Sequence, residues 1–328
     1  MTRSEVGPLD TPVALIVFSR ASTTRRVIDA LRTVRPTVVF VIADGPRSDK
    51  PDDARLCAEA RAVVDEIDWP CDVRRRFLDL NLGCGHSPAE GLDWVFSQVE
   101  ECIILEDDCV PDPSFFRYCT ELLDRYRMDS RVMMVSGNNH LLKRRYLSTS
   151  YTFAINTQTW GWATWRRAWS EYDFYMSDWP RVRSLDWLAY HLGSNSYAKW
   201  WLKLFDMAFH EAESNPRCTY WDFQWTYACW KNHGLTIIPR ENLVSNIGWG
   251  NGATHTLSES HWLANIPVEP MTFPLVHPDA MIPDHEADEI LKETVYGFRP
   301  LYKRVFPKLR RVVRSIFRPA HVNTKAQQ

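Results

Sequence analysis

The stretch VALIVFSRASTTRRVIDALRTV, residues 13–34, decides the fold class of this chain. It opens with six apolar residues in succession, which is typical of a β-strand buried on both faces of a sheet. Apolar residues then recur with the spacing of an amphipathic helix, at Val27, Ile28, Leu31 and Val34. The stretch therefore predicts a buried strand followed directly by a helix.

The same alternation continues along the first third of the chain. Apolar strand segments are predicted at residues 37–43 and 102–105, and a third strand candidate lies around residues 71–78, with helical patterns between them, the last from Pro88 to about Val99. Apolar strands that alternate with amphipathic helices indicate an α/β fold with a mostly parallel sheet flanked by helices. In open sheets of this kind, ligands bind at the carboxyl ends of the strands.

Charged residues follow three of the predicted strands, at Arg20, at Asp44 and at the triplet Glu106-Asp107-Asp108. Three adjacent carboxylates repel one another and raise one another's pKa unless a cation lies among them. Hard cations such as Mg²⁺ or Mn²⁺ prefer carboxylate oxygens and keep waters that a phosphate can replace. The segments therefore predict one crevice that suits a cation.

A structural role for these acids remains an alternative. The triplet could form a solvated acidic turn, and acids near a helix start suit the helix dipole. Asp112, directly before Pro113, is a good candidate for the N-cap of the following helix. Asp52 and Asp53 stand at a similar position ahead of the second predicted helix.

Composition excludes several classes of protein. The chain has 328 residues, a formal net charge of −2 and 45% hydrophobic residues, so neither a general nucleic-acid surface nor a disordered chain is indicated. No run of about 18 apolar residues predicts a membrane span. The eight cysteines are scattered without metal-ligand spacing, and no signal segment is recognised, so we expect reduced thiols in a cytoplasmic protein.

Four segments together resemble a known family: VFSRASTTRRVIDAL, VIADG, IILEDDCVPDPSFF and YWDFQWTYACW. They are similar to the inverting GT-A glycosyltransferases, of the N-acetylglucosaminyltransferase I type that begins complex N-glycans, and to its bacterial relatives. The likeness runs in order from about Val13 to His255. It implies a Rossmann-like GT-A fold and a metal-dependent hexosyl or N-acetylhexosaminyl transfer from a nucleotide-diphosphate sugar to an acceptor hydroxyl. Glycan, polysaccharide or glycolipid biosynthesis would be its setting.

The resemblance also implies roles for the residues at the strand ends. Asp108 would bind Mn²⁺ (or Mg²⁺), while Glu106 and Asp107 would meet the donor ribose and the water around the metal. Arg20 corresponds to an arginine near the diphosphate, and Asp44 to an acid that contacts uracil. Taken alone, Arg20 would be interpreted as a solvated charge at a helix start and Asp44 as a turn residue.

A catalytic base is predicted at Asp222, which lies where the family carries the carboxylate that deprotonates the acceptor. One of the two acids in the family motif is replaced here by Phe223. Asp222 could instead cap the helix that carries Trp225 and Trp230, and the two roles are compatible.

The stretch NIGWGNGATHT, residues 246–256, resembles the glycine-containing loop that closes over the donor in the family. Its glycines at 248, 250 and 252 supply backbone freedom for a lid, and His255 matches a donor-binding histidine. A plain surface turn is the alternative. Another histidine of the family, which contacts the base, is replaced in register by Gly91, with His86 five residues earlier, so the preference for a UDP-sugar donor rests on Asp44.

Tryptophan is concentrated between residues 160 and 262, which we interpret as an aromatic-rich, acceptor-side half. Helical spacing of Trp162, Trp165 and Trp169 favours a buried face over a sugar-stacking surface. Trp160-Gly161-Trp162 is the predicted contact with the acceptor, and Gly161 and Trp162 are also predicted to bind the donor.

The predicted organisation has three parts. Residues 10–140 form the nucleotide-sugar-binding half, and residues 141–290 form the acceptor-side half of the same domain. Residues 295–320 form a basic amphipathic helix. Through residues 299–318 this helix could bind an anionic membrane, which would make the protein peripheral on the inner face of the cell membrane and suit a lipid-linked acceptor. It could equally dock on its own domain.

Two other functions remain open. A sugar-nucleotide pyrophosphorylase is disfavoured because no glycine-rich basic signature follows the first strand: SRASTTRR contains no glycine. A non-catalytic carbohydrate-binding module would use the aromatic half as its sugar surface and the acids as a structural cation site. Turnover of a nucleotide-sugar donor, with a glycan or lipid-linked acceptor, distinguishes the transferase from both.

Overall fold

The computed structural model describes residues 7–249 and 262–298 of the chain. The strands are β1 (Val13–Val17), β2 (Val38–Ala43), β3 (Asp72–Phe77), β4 (Glu101–Glu106), β5 (Cys109–Pro111), β6 (Val132–Ser136), β7 (Tyr151–Ala154), β8 (Trp162–Trp165), β9 (Leu235–Pro239) and β10 (Val244–Asn246). The helices are α1 (Ala21–Val34), α2 (Asp53–Ala62), α3 (Gly83–Phe96), α4 (Pro113–Tyr126), α5 (Arg166–Trp169), α6 (Trp179–Val182), α7 (Leu185–Leu192), α8 (Asn195–Ser214), α9 (Asp222–Lys231) and α10 (His285–Thr294).

Eight of these strands form one sheet in the order β3-β2-β1-β4-β8-β6-β9-β7, and β5 pairs with β10 beside it. The four strands β1 to β4 are mutually parallel where they pair, and β6 is parallel to β9. β8 runs antiparallel to both β4 and β6, and β7 runs antiparallel to β9. The predicted fold class, an α/β fold with a mostly parallel sheet flanked by helices, is confirmed.

Strands β1, β2 and β4 are buried on both faces, as their apolar sequences predict, whereas the edge strand β3 is partly exposed. Alternate residues of β1 enter two different cores, since Val13 and Leu15 pack on one face and Ala14 packs on the other. Helices α1 and α4 cover the first face, whereas α3, α8 and α9 cover the second. Both faces being covered explains why the strand sequences are continuously apolar and not alternating.

The two predicted halves share this sheet. β6 belongs to the first half, and β7, β8 and β9 belong to the second, yet β6 lies between β8 and β9. The interleaving makes the two halves parts of one sheet.

Local signals in the sequence specify several helix starts. Asp112 caps α4 as predicted, because its Oδ1 accepts hydrogen bonds from Ser114 N at 2.8 Å and from Ser114 Oγ at 2.6 Å. Asp52 precedes α2 without a side-chain cap bond, and Asp53 instead pairs with Arg47. Helix α3 begins at Gly83, ahead of the predicted start at Pro88, which lies inside the helix.

The tryptophans near residue 165 are buried, but the predicted helical spacing is wrong. Residues 162–165 form β8, and only residues 166–169 are helical. Because successive side chains of a strand point to opposite faces, Trp162 lies in the core beneath α3 whereas Trp165 lies in the core beneath α4. The prediction that these tryptophans are buried is confirmed.

The basic segment predicted as a helix over residues 295–320 falls mostly outside the described residues. Helix α10 ends at Thr294, and residues 295–298 after it are not helical. Within the described part of the chain, no helix combines the length and the apolar character needed to cross a bilayer.

The packing of α3 on β2 gives a test of the fold. A Cβ at Gly91 would fall 2.4 Å from Cγ2 of Ile42, so Gly91→Ala should lower the free energy of unfolding by about 1–3 kcal/mol. In an Ile42→Ala background the clash disappears, and the same change should be neutral or stabilising because alanine favours a helix by about 1 kcal/mol. Urea unfolding of the four proteins measures this cycle. An equal effect of Gly91→Ala in both backgrounds would contradict the contact.

Candidate active site

A buried ion-pair cluster forms where β1 and β4 end. These strands are parallel neighbours with Ile16 opposite Glu106, so the residues that follow them meet at one edge of the sheet. Arg20 Nη2 contacts Asp107 Oδ1 and lies 2.8 Å from Asp108 Oδ2. The structure therefore brings together the arginine and the acidic triplet that the sequence predicted to converge.

The acids Glu106, Asp107 and Asp108, here called the carboxylate cluster, carry more charge than Arg20 neutralises. Asp107 and Asp108 are only 3% and 6% exposed. Burial, together with the charges of Asp108 and Asp107, raises the pKa of Glu106. Burial also raises the pKa of Asp107, although Arg20 opposes that effect. One guanidinium faces three carboxylates, so the cluster favours an additional cation.

The cluster fits a divalent ion that takes few protein ligands. Among the described residues, no group of three or more His, Cys, Asp and Glu side chains is arranged to hold a metal. The chemistry of the donor set still suits Mg²⁺ or Mn²⁺, because the oxygens are carboxylates and the local charge is in excess. Such ions often take one or two carboxylates and complete their coordination with water and substrate phosphates. Asp108 is the ligand expected from the sequence.

The segment that follows β10 lies directly on this cluster. Ile247 N donates to the backbone oxygen of Asp108 at 2.9 Å. A Cβ at Gly248 would fall 1.9 Å from Asp108 Oδ2 and 2.6 Å from Arg20 Nη1. Glycine is therefore required here by close approach and not by an unusual φ. Gly250, Gly252 and His255, also predicted for the lid, lie outside the described residues.

Asp44 has a structural role in this structure. Its Oδ1 accepts hydrogen bonds from Gly45 N and Leu82 N at 2.8 Å, and its Oδ2 accepts from Asn81 Nδ2 at 2.8 Å and from Gly83 N at 2.9 Å. Burial raises the pKa of Asp44 while these donors lower it. The carboxylate thus ties the end of β2 to the start of α3, and its contact with a nucleobase stays a prediction.

Gly161 and Trp162 occupy positions set by packing. Gly161 has a φ of +72°, and a Cβ on it would lie 2.7 Å from Cγ2 of Val244. Trp162 is 1% exposed and packs against Trp225. The substrate contacts expected of Gly161 and Trp162 stay predictions, although Trp162 has almost no exposed surface. Trp160 borders a cavity, and its contact with the acceptor stays a prediction.

This cavity, here called the Asp222 cavity, has a volume of about 240 Å³. Its walls include Asp222 of α9, residues 157–160 between β7 and β8, Trp249 and Tyr296. Trp221 holds the N-cap position of α9 and Asp222 is its first residue, so Asp222 is not the capping residue that the sequence suggested as an alternative.

Asp222 links the cavity to the carboxylate cluster. Its charge contributes to the raised pKa of Glu106, which places the two carboxylates within electrostatic range of each other. Trp249 lines the cavity, and its chain neighbour Gly248 contacts Asp108. The adjacent residues Gly248 and Trp249 therefore connect the predicted metal ligand with the cavity wall that carries the predicted base.

The sequence did not indicate two further residues of this site, Gln158 and His140. Both are 4% exposed and line the cavity. Burial lowers the pKa of His140 to about 3, so its imidazole is neutral. Neither residue belongs to a recognisable motif, because the contacts that bring them together join distant parts of the chain.

Comparisons with known proteins are limited. No protein-family model matches the chain, and no curated protein matches it. Among solved structures, a UDP-glucose pyrophosphorylase complexed with UDP-glucose is 10% identical over 45% of this chain and 63% of its own, with a TM-score of 0.26. A mannosyltransferase from Pyrobaculum calidifontis, in complex with GDP-Man and Mn²⁺, is 16% identical over 49% and 47%, with a TM-score of 0.34.

A third structure, mouse xyloside xylosyltransferase 1 in its apo form, is 10% identical over 70% of this chain and 85% of its own, with a TM-score of 0.36. The matches span less than two thirds of the first two structures' own length. At these values the likeness carries no argument about substrate or reaction.

The close approach of Gly248 predicts a functional loss without unfolding. Gly248→Ala should push the loop away from Asp108 and Arg20, and misplacement of a site by about 1 Å can lower activity about 10²-fold. Gly7→Ala is the matched control, since a Cβ at Gly7 meets nothing within 4 Å. Turnover of nucleotide sugars and thermal melting of both variants provide the measurement. Full activity of Gly248→Ala would show that this approach is unimportant.

Proposed function

We propose that the protein is a metal-dependent, inverting glycosyltransferase that moves a hexosyl or N-acetylhexosaminyl group from a nucleotide-diphosphate sugar to an acceptor hydroxyl. The observation that carries the proposal is the arrangement of the charges. A carboxylate cluster that one arginine only partly neutralises lies at the strand ends, within electrostatic range of a separate carboxylate in a cavity wall. Transfer from a nucleotide diphosphate needs both kinds of group.

Asp222 would act on the acceptor. Its carboxylate takes the proton of the attacking hydroxyl, whose oxygen forms a bond to the anomeric carbon of the donor. The bond from that carbon to the diphosphate oxygen breaks, and the nucleoside diphosphate leaves with the electron pair. Attack from the side opposite the leaving group inverts the configuration.

Arg20 and Asp108 would act on the leaving group. Asp108 would hold Mn²⁺ or Mg²⁺, and a metal bound there neutralises charge on the diphosphate as it departs. The side chain of Arg20 is 27% exposed, so its guanidinium can meet a phosphate as well as the two buried aspartates. Glu106 and Asp107 would meet the donor ribose and the water around the metal.

The donor is tested with a panel of UDP-, GDP- and dTDP-sugars in the presence of Mn²⁺, with release of nucleoside diphosphate as the readout. We expect turnover of at least one donor, a UDP-sugar by preference, and loss of that turnover when Mn²⁺ is chelated. Formation of a nucleoside triphosphate from pyrophosphate would instead identify a pyrophosphorylase. Sugar binding without any turnover would identify a binding module.

The proposed base gives the next prediction. Asp222→Asn should lower kcat for transfer about 10²–10⁴-fold, because the amide cannot accept the proton. Asp186→Asn is a matched control, since Asp186 is also an acid in the first turn of a helix and is exposed on α7. Kinetics with the donor found in the panel provide the measurement. Unchanged kcat in Asp222→Asn would remove Asp222 from the mechanism.

The proposed metal ligand is tested by direct binding. Asp108→Asn should weaken Mn²⁺ binding about 100-fold or more, since loss of an outer-shell partner alone costs about 10–100-fold. The control is Asp124→Asn on α4, whose side chain is 73% exposed. Titration calorimetry with Mn²⁺ in the presence of nucleoside diphosphate measures the effect. Equal affinity in wild type and Asp108→Asn would contradict the assignment.

A further inference from the structure

Gln158 lines the Asp222 cavity and has a buried side-chain amide. It is 4% exposed, and neither Oε1 nor Nε2 of its amide has a hydrogen-bond partner among the described residues. Nδ1 of the equally buried His140, in the same cavity wall, is also without a partner there. Buried side-chain polar atoms are paired in the large majority of cases. A cavity wall with three orphaned polar atoms therefore points to a ligand that pairs them.

The backbone around Gln158 is held firmly in place. Asp288 of α10 accepts hydrogen bonds from Ile155 N at 3.1 Å and from Asn156 Nδ2 at 2.6 Å. Thr157 is fixed from two sides: its Oγ1 bonds Thr226 Oγ1 at 2.6 Å, and its carbonyl accepts from Tyr296 OH at 3.2 Å. The residues preceding Gln158 are thus anchored to two helices and to the segment after α10, which preorganises its amide for binding.

The other walls of the cavity suit an uncharged ring with apolar faces. Trp160, Phe223 and Tyr296 contribute aromatic surface. Asp222 is the single charged side chain among the described lining residues, because burial keeps His140 neutral. None of the described lining residues is a cation that could pair with a phosphate or carboxylate. The volume of about 240 Å³ is below the range of about 300–1,000 Å³ typical of drug-sized ligands, so it suits one ring.

We propose that the Asp222 cavity binds a neutral sugar ring of the acceptor and that the Gln158 amide selects it by bonding two adjacent hydroxyl groups. An amide suits such a pair, since Nε2 donates to one hydroxyl oxygen while Oε1 accepts from the next hydroxyl. A site built to bond hydroxyls strongly rejects analogues that lack them, because its buried groups are then left unpaired. Gln158 is in this sense a specificity-determining residue, and this inference rests on the proposed function.

A sugar ring could reach this site from the acceptor or from the donor, and the lining residues favour the acceptor. The described walls come from the segment after β6, the connection of β7 and β8, α9, and the segments after β10 and α10. The strand-end residues Arg20 and Glu106-Asp107-Asp108, where the diphosphate is expected, are not among them. Asp222, the proposed acceptor base, is in the wall.

The test uses methyl glycosides as probes on the full chain. Neutral methyl glycosides of glucose, galactose, mannose and N-acetylglucosamine are compared with glucuronic acid and glucose 6-phosphate, by titration calorimetry with Mn²⁺ and nucleoside diphosphate present. We expect at least one neutral glycoside to bind and the two anionic sugars not to bind. Gln158→Met, which keeps the side-chain length and removes both polar atoms, should weaken that binding about tenfold or more.

A hydroxyl-deletion cycle identifies the contact. Deoxy analogues of the bound glycoside should bind wild type about tenfold more weakly at two adjacent positions, and the same deletions should have little effect in Gln158→Met. Gln98→Met is the matched control, because Gln98 is exposed beyond the end of α3. Thermal melting of each variant verifies its folding. Equal sensitivity of wild type and Gln158→Met to every deletion would overturn the role of Gln158.

Donor kinetics separate this inference from the proposed function. The KM for the nucleotide sugar is compared between wild type and Gln158→Met by hydrolysis without acceptor, to determine which substrate supplies the ring. A raised donor KM would assign the ring to the donor and overturn the acceptor assignment. Donor turnover without binding of any neutral glycoside would refute the sugar cavity while the transferase stands. Glycoside binding without turnover of any donor would refute the transferase while the cavity still binds sugar.

Discussion

The pairing of Arg20 with Asp107 and Asp108 is the interaction on which the site depends. It exists because β1 and β4 are adjacent and parallel, so the turns after them emerge side by side. Removal of Arg20 would leave two buried carboxylates without a counter-charge. This destabilises the folded chain far more than replacement of the whole ion pair by apolar residues would. The loop at Gly248 also depends on this ion pair, because its backbone lies directly against Asp108 and Arg20.

The pairing of Arg20 with two aspartates leaves a surplus of negative charge, and a carboxylate outside the cluster interacts with it. Asp222 lies on a different helix, in the half of the chain that follows β6, yet its charge still acts on Glu106. Like charges held together at a sheet edge oppose the stability of the folded chain, and functional sites often retain such a cost. A cation at the cluster would relieve that repulsion.

The sequence predicted the sheet and its helices well where local pattern controls structure. Buried parallel strands are continuously apolar, and the cap at Asp112 is a local hydrogen bond to Ser114. Prediction failed at Trp162 because three tryptophans had helical spacing by coincidence, while their neighbours in β4 and β6 made the segment a strand. It also could not show that Asp44 would be saturated by donors from residues 81–83, since that contact depends on how β2 meets α3.

The Asp222 cavity could not be predicted from the sequence, because it also depends on contacts between residues that are distant in the chain. Its shape depends on contacts such as Asp288 with Ile155, which are separated by 133 residues. The carboxylate cluster, by contrast, is one contiguous motif after one strand. The two parts meet at the segment 246–249, where Gly248 lies against Asp108 and Trp249 lines the cavity. In the proposed transferase, the charged groups are therefore recognisable from a short motif, whereas specificity would depend on the distant contacts that fix Gln158.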